Sequence, residues 1–327
     1  MLMFEQALVE NLALHEYLKI LCNSHEYNEL PVRHNEELLN EDLAKMCRFQ
    51  VDQYTYDSPH TKAYLLLQAH FSRLPLPCTD YITDLKSVLD QAIRIIQAMI
   101  DIVAEKGWLA STLRIMQLLQ MIIQARWIDE PAVITLPHIN KEHLPLFSSL
   151  PAPLPVLCAS TFSNYNRLLK ALSKEFHEEQ IHQMHQVIKE MPVLSIDLIL
   201  HGDWEDGTEK KIPLQTNYNN VIDLHQGQDY TLIIGMKRKN HSNTLKAHCP
   251  MYQKGKDEGW FLVLGDISQR ELWALKRANG VNDQHKMYQL QFTSSSNLGP
   301  MKLTFYLISD CYIGLDQQYD IQVNIVP

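Results

Sequence analysis

The chain has 327 residues, 46 % of them hydrophobic and 20 % charged, with a formal charge of -9. It is long enough for two or three domains and too apolar to be a largely disordered chain. Residues 1–192 hold 16 Lys+Arg against 23 Asp+Glu, and residues 193–327 hold 13 against 15, so the first part is a poor autonomous nucleic-acid binder, with room only for a single local track of contact.

The six cysteines, Cys22, Cys47, Cys78, Cys158, Cys249 and Cys311, are scattered without a C-x-x-C pair. That spacing favours free thiols in a reducing nuclear or cytoplasmic compartment over disulfides or a zinc site. No secretory leader opens the chain, and no uncharged apolar run reaches the roughly 18 residues of a membrane span, so no membrane partner is expected.

From Glu5 to Leu21, leucines and alanines recur at helical spacing and predict a first helix that Asn23-Ser24 ends. Leu30-Pro31-Val32 reads as extended, because a residue before proline disfavours the α region, and helix resumes over Glu36–Met46. Tyr54–Pro59 is loop. The segment TKAYLLLQAHFSRL (61–74) forms a further helix, stopped before the proline-spaced LPLP.

Thr83–Lys106 contains neither Gly nor Pro and predicts one long helix. Its apolar residues cover well over half the circumference, which points to a central helix. The remaining strip, Asp84, Ser87, Gln91, Arg94, Ala98, Asp101 and Glu105, keeps to one face for about 36 Å. Gly107 fits the position just past the helix end, and Trp108–Trp127 is another apolar helix, completing an all-α bundle over 1–130.

Residues 131–191 predict shorter helices, Lys141–Ser148, Thr161–Leu172 and His177–Lys189, around a proline-rich LPAPLP connector, and read as a helix-loop-helix unit. After Pro192 the hydrophobic period changes from 3.6 to 2. Strands are expected over Val193–Leu200, Asp229–Lys237, Trp260–Leu264, Glu271–Arg277, Met287–Thr293, Met301–Ser309 and Tyr319–Val326. This pattern over 192–327 suggests an immunoglobulin- or fibronectin-like β-sandwich. The predicted fold class is therefore multidomain α + β.

No catalytic or cofactor motif emerges. Lys254-Gly255-Lys256-Asp257 lacks the upstream glycine and the hydroxyl of a phosphate-binding loop, and no Rossmann fingerprint is present. His182 and His185 sit three apart in HEEQIHQMH, beside His177, but without the H-E-x-x-H order; a polar helix face is the reading taken, and no metal is assigned. Ser294-Ser295-Ser296 is a turn rather than a nucleophile, as there is no G-x-S-x-G. Asp310–Tyr319 is a polar-aromatic turn read as packing.

Two clusters are candidate contacts. Lys237, Arg238 and Lys239, followed by Lys246, Lys254 and Lys256, form the most basic stretch; it reads as a long solvated loop between strands and is also where a partner or a nucleic-acid backbone would touch the sandwich. On the long helix, Gln91, Arg94 and Gln97 form the middle of the polar strip. Arg94 is either in an ion pair, with Asp90, Asp101 or a neighbouring helix, or a phosphate or base contact. Asp84, Asp101 and Glu105 are expected to repel phosphate on either side of it.

The stretches LPVRHNEELLNEDLA, SPHTKAYLLLQAHFSR, VLDQAIRIIQAMIDIVAEKGWL, QMIIQARW, LPHI, EGWFLVLGD, ELWALKR and SDCYIGLDQQYDI occur in an order that resembles the Sec-sixty-three homology (Brl) unit of large Ski2-like helicases. The resemblance covers nearly the whole chain. It implies a helical bundle, a helix-loop-helix and a fibronectin-like sandwich, in a non-catalytic accessory unit of an ATP-driven helicase. Its partners would be the RecA-like helicase core of the parent chain, other subunits of the parent complex and single-stranded nucleic acid. ATP and Mg2+ would bind that core, and none of this chain's residues would hold a cofactor. Roles in DNA repair, transcription coactivation or ribosome quality control are implied for the parent. In the family the long bundle helix is the ratchet helix, which touches the translocated strand. Arg94 falls where the family has a basic contact and Gln91 where it has a small polar one, whereas Gln97 departs from a second basic residue and leaves room for a scaffold role without nucleic acid.

Overall fold

The computed structural model describes residues 2–148, 154, 158, 167–168, 170–205, 207–214, 221–242, 244–282 and 284–327. The chain divides into two compact units, Met1–Glu130 with Cys249–Gly255, and Pro131–His248 with Lys256–Pro327.

The first unit is helical: α1 (Leu2–Ala7), α2 (Leu14–Cys22), α3 (Glu36–Met46), α4 (Pro59–Ser72), α5 (Thr79–Glu105) and α6 (Leu109–Gln124). Helix α4 is enclosed on every side over 62–71, where every residue is buried, and α6 likewise over 118–124. The long helix α5 is instead two-faced. Val88, Ala92, Ile95, Ile96, Met99, Ile100 and Val103 are buried, while Ser87, Arg94, Gln97, Ala98, Asp101 and Glu105 are exposed. Its 27 residues span about 40 Å. It ends where Trp108 N donates to Val103 O and Gly107 N to Ala104 O, a closure that puts Gly107 at φ +73.

The single helix expected over Glu5–Leu21 is two helices. Asn11 adopts φ +62, Arg114 donates to Leu12 O at 2.7 Å and Lys106 to Glu5 O at 3.1 Å, so contacts from distant helices hold the break open. The Glu16 carboxylate then accepts from Ala13 N at 2.7 Å, half of a capping box that starts α2. Asp84 also departs from expectation. It is buried, not on the wet strip, because Lys62 Nζ and Arg33 Nη1 each lie 2.7 Å from its carboxylate.

In the second unit the 141–148 segment is a short 3-10 turn, Lys141–His143, followed by α7 (Leu144–Phe147), and α8 spans Glu178–Glu190. The LPAPLP connector and the expected helix over Thr161–Leu172 lie largely outside the described residues. Nine strands follow among those described: β1 (Leu194–Trp204), β2 (Gly207–Ile212), β3 (Ile222–His225), β4 (Asp229–Arg238), β5 (Gly259–Asp266), β6 (Glu271–Asn279), β7 (Lys286–Thr293), β8 (Gly299–Ser309) and β9 (Gln317–Val326). They form sheets ordered β2-β1-β4-β7 and β3-β9-β8-β5-β6. All pairs are antiparallel except β3 with β9. Sequence reasoning missed β2 and β3. Both are sheet edges, β2 is polar at most positions and β3 is four residues long, so neither carries a strong alternation. Residues of β5 are buried throughout, as befits a strand with neighbours on both sides and both faces covered. Trp273 of β6 meets Phe292 of β7 at 5.7 Å, closing the layer between the sheets.

Candidate nucleic-acid interface and the cationic stretch

The middle of the exposed α5 face is built from both sides. Tyr27 is buried and donates to Val88 O at 3.0 Å, which fastens the 3-10 turn His25–Tyr27 against α5. Glu26 of that turn is thereby carried to Arg94, 3.3 Å from Nη2. The same Nη2 reaches Gln91 Oε1 at 3.0 Å, one helical turn away. Arg94 keeps 67 % of its side chain exposed, and a pair so open to water is worth little, about 0–1 kcal/mol. Gln97 is exposed one turn further on.

Charges flanking this centre are less repulsive than the sequence implies. Asp84 is withdrawn into the helical unit, and Asp90 is met by Lys254 at 3.0 Å. Asp101 and Glu105 remain exposed, so the acidic limit lies on the C-terminal side. Thus Gln91 and Arg94 are joined by a hydrogen bond, with Glu26 as a third member that reasoning along one helix did not find. No periodic signal links residue 26 to residue 94; only the Tyr27 anchor does.

The withdrawal of Asp84 rests on a buried ionic cluster. Lys62, with no exposed side-chain surface, lies 2.6 Å from Glu36 Oε2 as well as 2.7 Å from Asp84, and its ammonium stands 4.5 Å from the Tyr81 ring centre. Burial pushes the Asp84 and Glu36 carboxyls up, but hydrogen bonds from Lys62 and Arg33 outweigh it and hold both below the ordinary carboxylate range.

In the cationic stretch, Lys237 and Lys239 are exposed but Arg238 is not. Its side chain is fully buried: Nη1 lies 2.7 Å from Glu258 Oε2 and Nη2 donates to the carbonyl of Glu190 at the end of α8. Arg238 therefore cannot serve as a surface contact, a correction to the expectation. It lies at the end of β4 with alternating side chains, and the inward direction falls on it. Burial pushes the Glu258 carboxyl up to about 7 against the opposing pull of Arg238. The loop expected beyond is solvated, with Lys246 and Lys254 each 65 % exposed, but its cations are paired: Lys246 with Asp257 at 2.6 Å, Lys256 with Asp310 at 2.6 Å and Lys254 with Asp90 at 3.0 Å. The Asp310–Tyr319 turn packs Cys311, Tyr312, Ile313 and Leu315 inward.

Among the described residues, no three or more His, Cys, Asp or Glu side chains are placed to hold a metal ion, and no helix is long and apolar enough to cross a membrane.

The Sec63 Brl domain pattern matches residues 1–322. The chain is 39 % identical over 99 % of its length to activating signal cointegrator 1 complex subunit 3 of Bos taurus, and 37 % identical over 98 % to the DExH-box ATP-dependent RNA helicase DExH14 of Arabidopsis thaliana. The U5 small nuclear ribonucleoprotein 200 kDa helicase of Homo sapiens is 26 % identical over 99 % of the chain. The chain spans only 16 %, 14 % and 14 % of those three proteins' lengths. An identity of that level along nearly the whole chain, together with the family pattern, means that this chain belongs to the Sec63 Brl domain family.

Proposed function

We propose that the chain is the non-catalytic accessory unit of a large Ski2-like nucleic-acid helicase, in which α5 acts as a ratchet helix along a single strand. The observation that carries this reading is the open α5 face centred on Gln91 and Arg94, in a chain that spans only 16 % and 14 % of the length of two of its relatives. The division follows the helical bundle (1–130), a helix-loop-helix (131–191) and a β-sandwich (192–327). The strand order β1-β4-β7 against β6-β5-β8-β9 is compatible with an immunoglobulin- or fibronectin-like sandwich. ATP and Mg2+ belong, in this reading, to a RecA-like core elsewhere in the parent polypeptide, and DNA repair, transcription coactivation or ribosome quality control would be processes of that parent. The test is Arg94→Glu in the complete helicase: unwinding slows while the melting of the helical unit is unchanged, and wild-type unwinding would overturn strand guidance.

A second reading, a protein-interaction scaffold without nucleic-acid contact, is favoured by the Glu26 carboxylate at Arg94. Exposed Lys237 and Lys239 would then meet partner subunits. A Lys237→Glu, Lys239→Glu parent that still retains every subunit would count against it.

A further inference from the structure

A groove of 260 Å³ opens within the helical unit between the end of α4, the loop that follows it, the first turns of α5 and the Cys249–Gly255 segment. Its floor is aliphatic: Leu74, Leu76, Leu85 and Leu89. Two of its walls are large apolar side chains left open to solvent, Ile82 at 44 % and Met251 at 48 % exposure. Contiguous apolar surface of this kind marks an interaction site more often than scattered single residues do.

The charge lining the groove has one sign. Arg73 and Lys86 line it and no Asp or Glu does, in a part of the chain that is otherwise acidic. Arg73 is held in place by donating from Nε to Ala125 O at 3.0 Å and from Nη2 to Gln124 O at 3.4 Å. Lys86 is exposed and makes no ion pair with any described residue. His70 contributes no charge: burial pushes its imidazole down to about 4, and Nε2 faces Ile122 O at 2.8 Å.

Chemistry narrows the occupant. Sequence-tolerant strand binding uses aromatic platforms for base stacking, and this floor has none. Small-molecule sites run to roughly 300–1,000 Å³, whereas this volume suits one or two aliphatic side chains. An aliphatic floor with a cationic rim complements a protein segment with leucine-like anchors and acidic flanks. Ile82 and Leu89 lie roughly 120–140° around α5 from Arg94, so an occupant would leave the strand face free.

We propose that this groove docks an acidic partner segment whose aliphatic side chain enters between Leu85 and Met251 and whose Asp or Glu carboxylates meet Lys86 and Arg73. The test uses the 327-residue chain and a fluorescein-labelled acidic peptide of about 12 residues with leucines at i, i+3 and i+4 spacing, followed by anisotropy. Saturable binding is expected, weakened about fivefold or more by Lys86→Glu, weakened at least as much by Met251→Glu, and unchanged by Arg94→Glu. Lys86 and Met251 are both exposed, so the variants should melt as the parent does. Absence of saturable binding, equal affinity of Lys86→Glu, or equal affinity for a peptide with lysines in place of its acids would each overturn the proposal. Displacement of the peptide by a short oligouridine would assign the groove to nucleic acid instead.

Discussion

Lys62 of α4 and Asp84 of α5 meet 2.7 Å apart with almost no exposed side-chain surface, and their pairing removes from the exposed α5 face a charge that helical spacing assigned to it. The cluster is completed by Glu36 at 2.6 Å and by Arg33 reaching both carboxylates.

Removing one partner of such a pair leaves a buried charge uncompensated. Lys62→Met is expected to destabilise the helical unit by about 3–5 kcal/mol in chemical denaturation. Because the folded Glu36 and Asp84 carboxyls are held low, their contribution is present above the unfolded carboxylate range and is lost as pH falls through it towards the folded values. Wild-type stability of this unit should therefore fall on acidification below about pH 4.5, and the Lys62→Met variant, in which only Arg33 still holds the two carboxylates, should show a smaller fall.

Glu26→Gln releases the exposed Arg94 from its ion pair. Under strand guidance, single-strand affinity of the complete helicase rises about two- to fivefold at low salt; under the scaffold reading it does not move. Fluorescence titration with a labelled oligonucleotide separates the two.

Arg238→Ala should cost the β-sheet unit about 3–5 kcal/mol at pH 8, whereas Lys237→Ala, at an exposed neighbour, stays within about 0.5 kcal/mol. The sign with pH follows from Glu258, whose folded carboxyl is raised to about 7 by burial. It binds a proton more tightly folded than unfolded, so its effect favours folding at low pH and is lost as pH rises from the unfolded range through about 7. The cost of Arg238→Ala should accordingly shrink at pH 5, where Glu258 is neutral. Hydrogen exchange of β4 and β5 amides reads the difference.

Period and punctuation made most elements legible. The alternation from Leu194 to Leu200 marked β1, the unbroken GWFLVLGD marked β5, and the Gly- and Pro-free run ending at Lys106-Gly107 marked α5 to within four residues at its start. The same cues erred where distant contacts overrode them, as at Asn11, where leucine spacing continued across a break held by Arg114 and Lys106. Of the candidate site, Gln91 beside Arg94 could be read from helical spacing, since i and i+3 share a face.

What the sequence determined by itself was the order of helices and strands, the change of period after Pro192 and the motif order of the family, because each depends on neighbours within a few residues. Tertiary structure alone decided which charges are free. Asp84 is matched to Lys62 across 22 residues and to Arg33 across 51, Arg94 to Glu26 across 68, and Arg238 to Glu258 across 20. A charge is stabilised by the groups that folding brings within a few ångströms, and no local pattern encodes that distance.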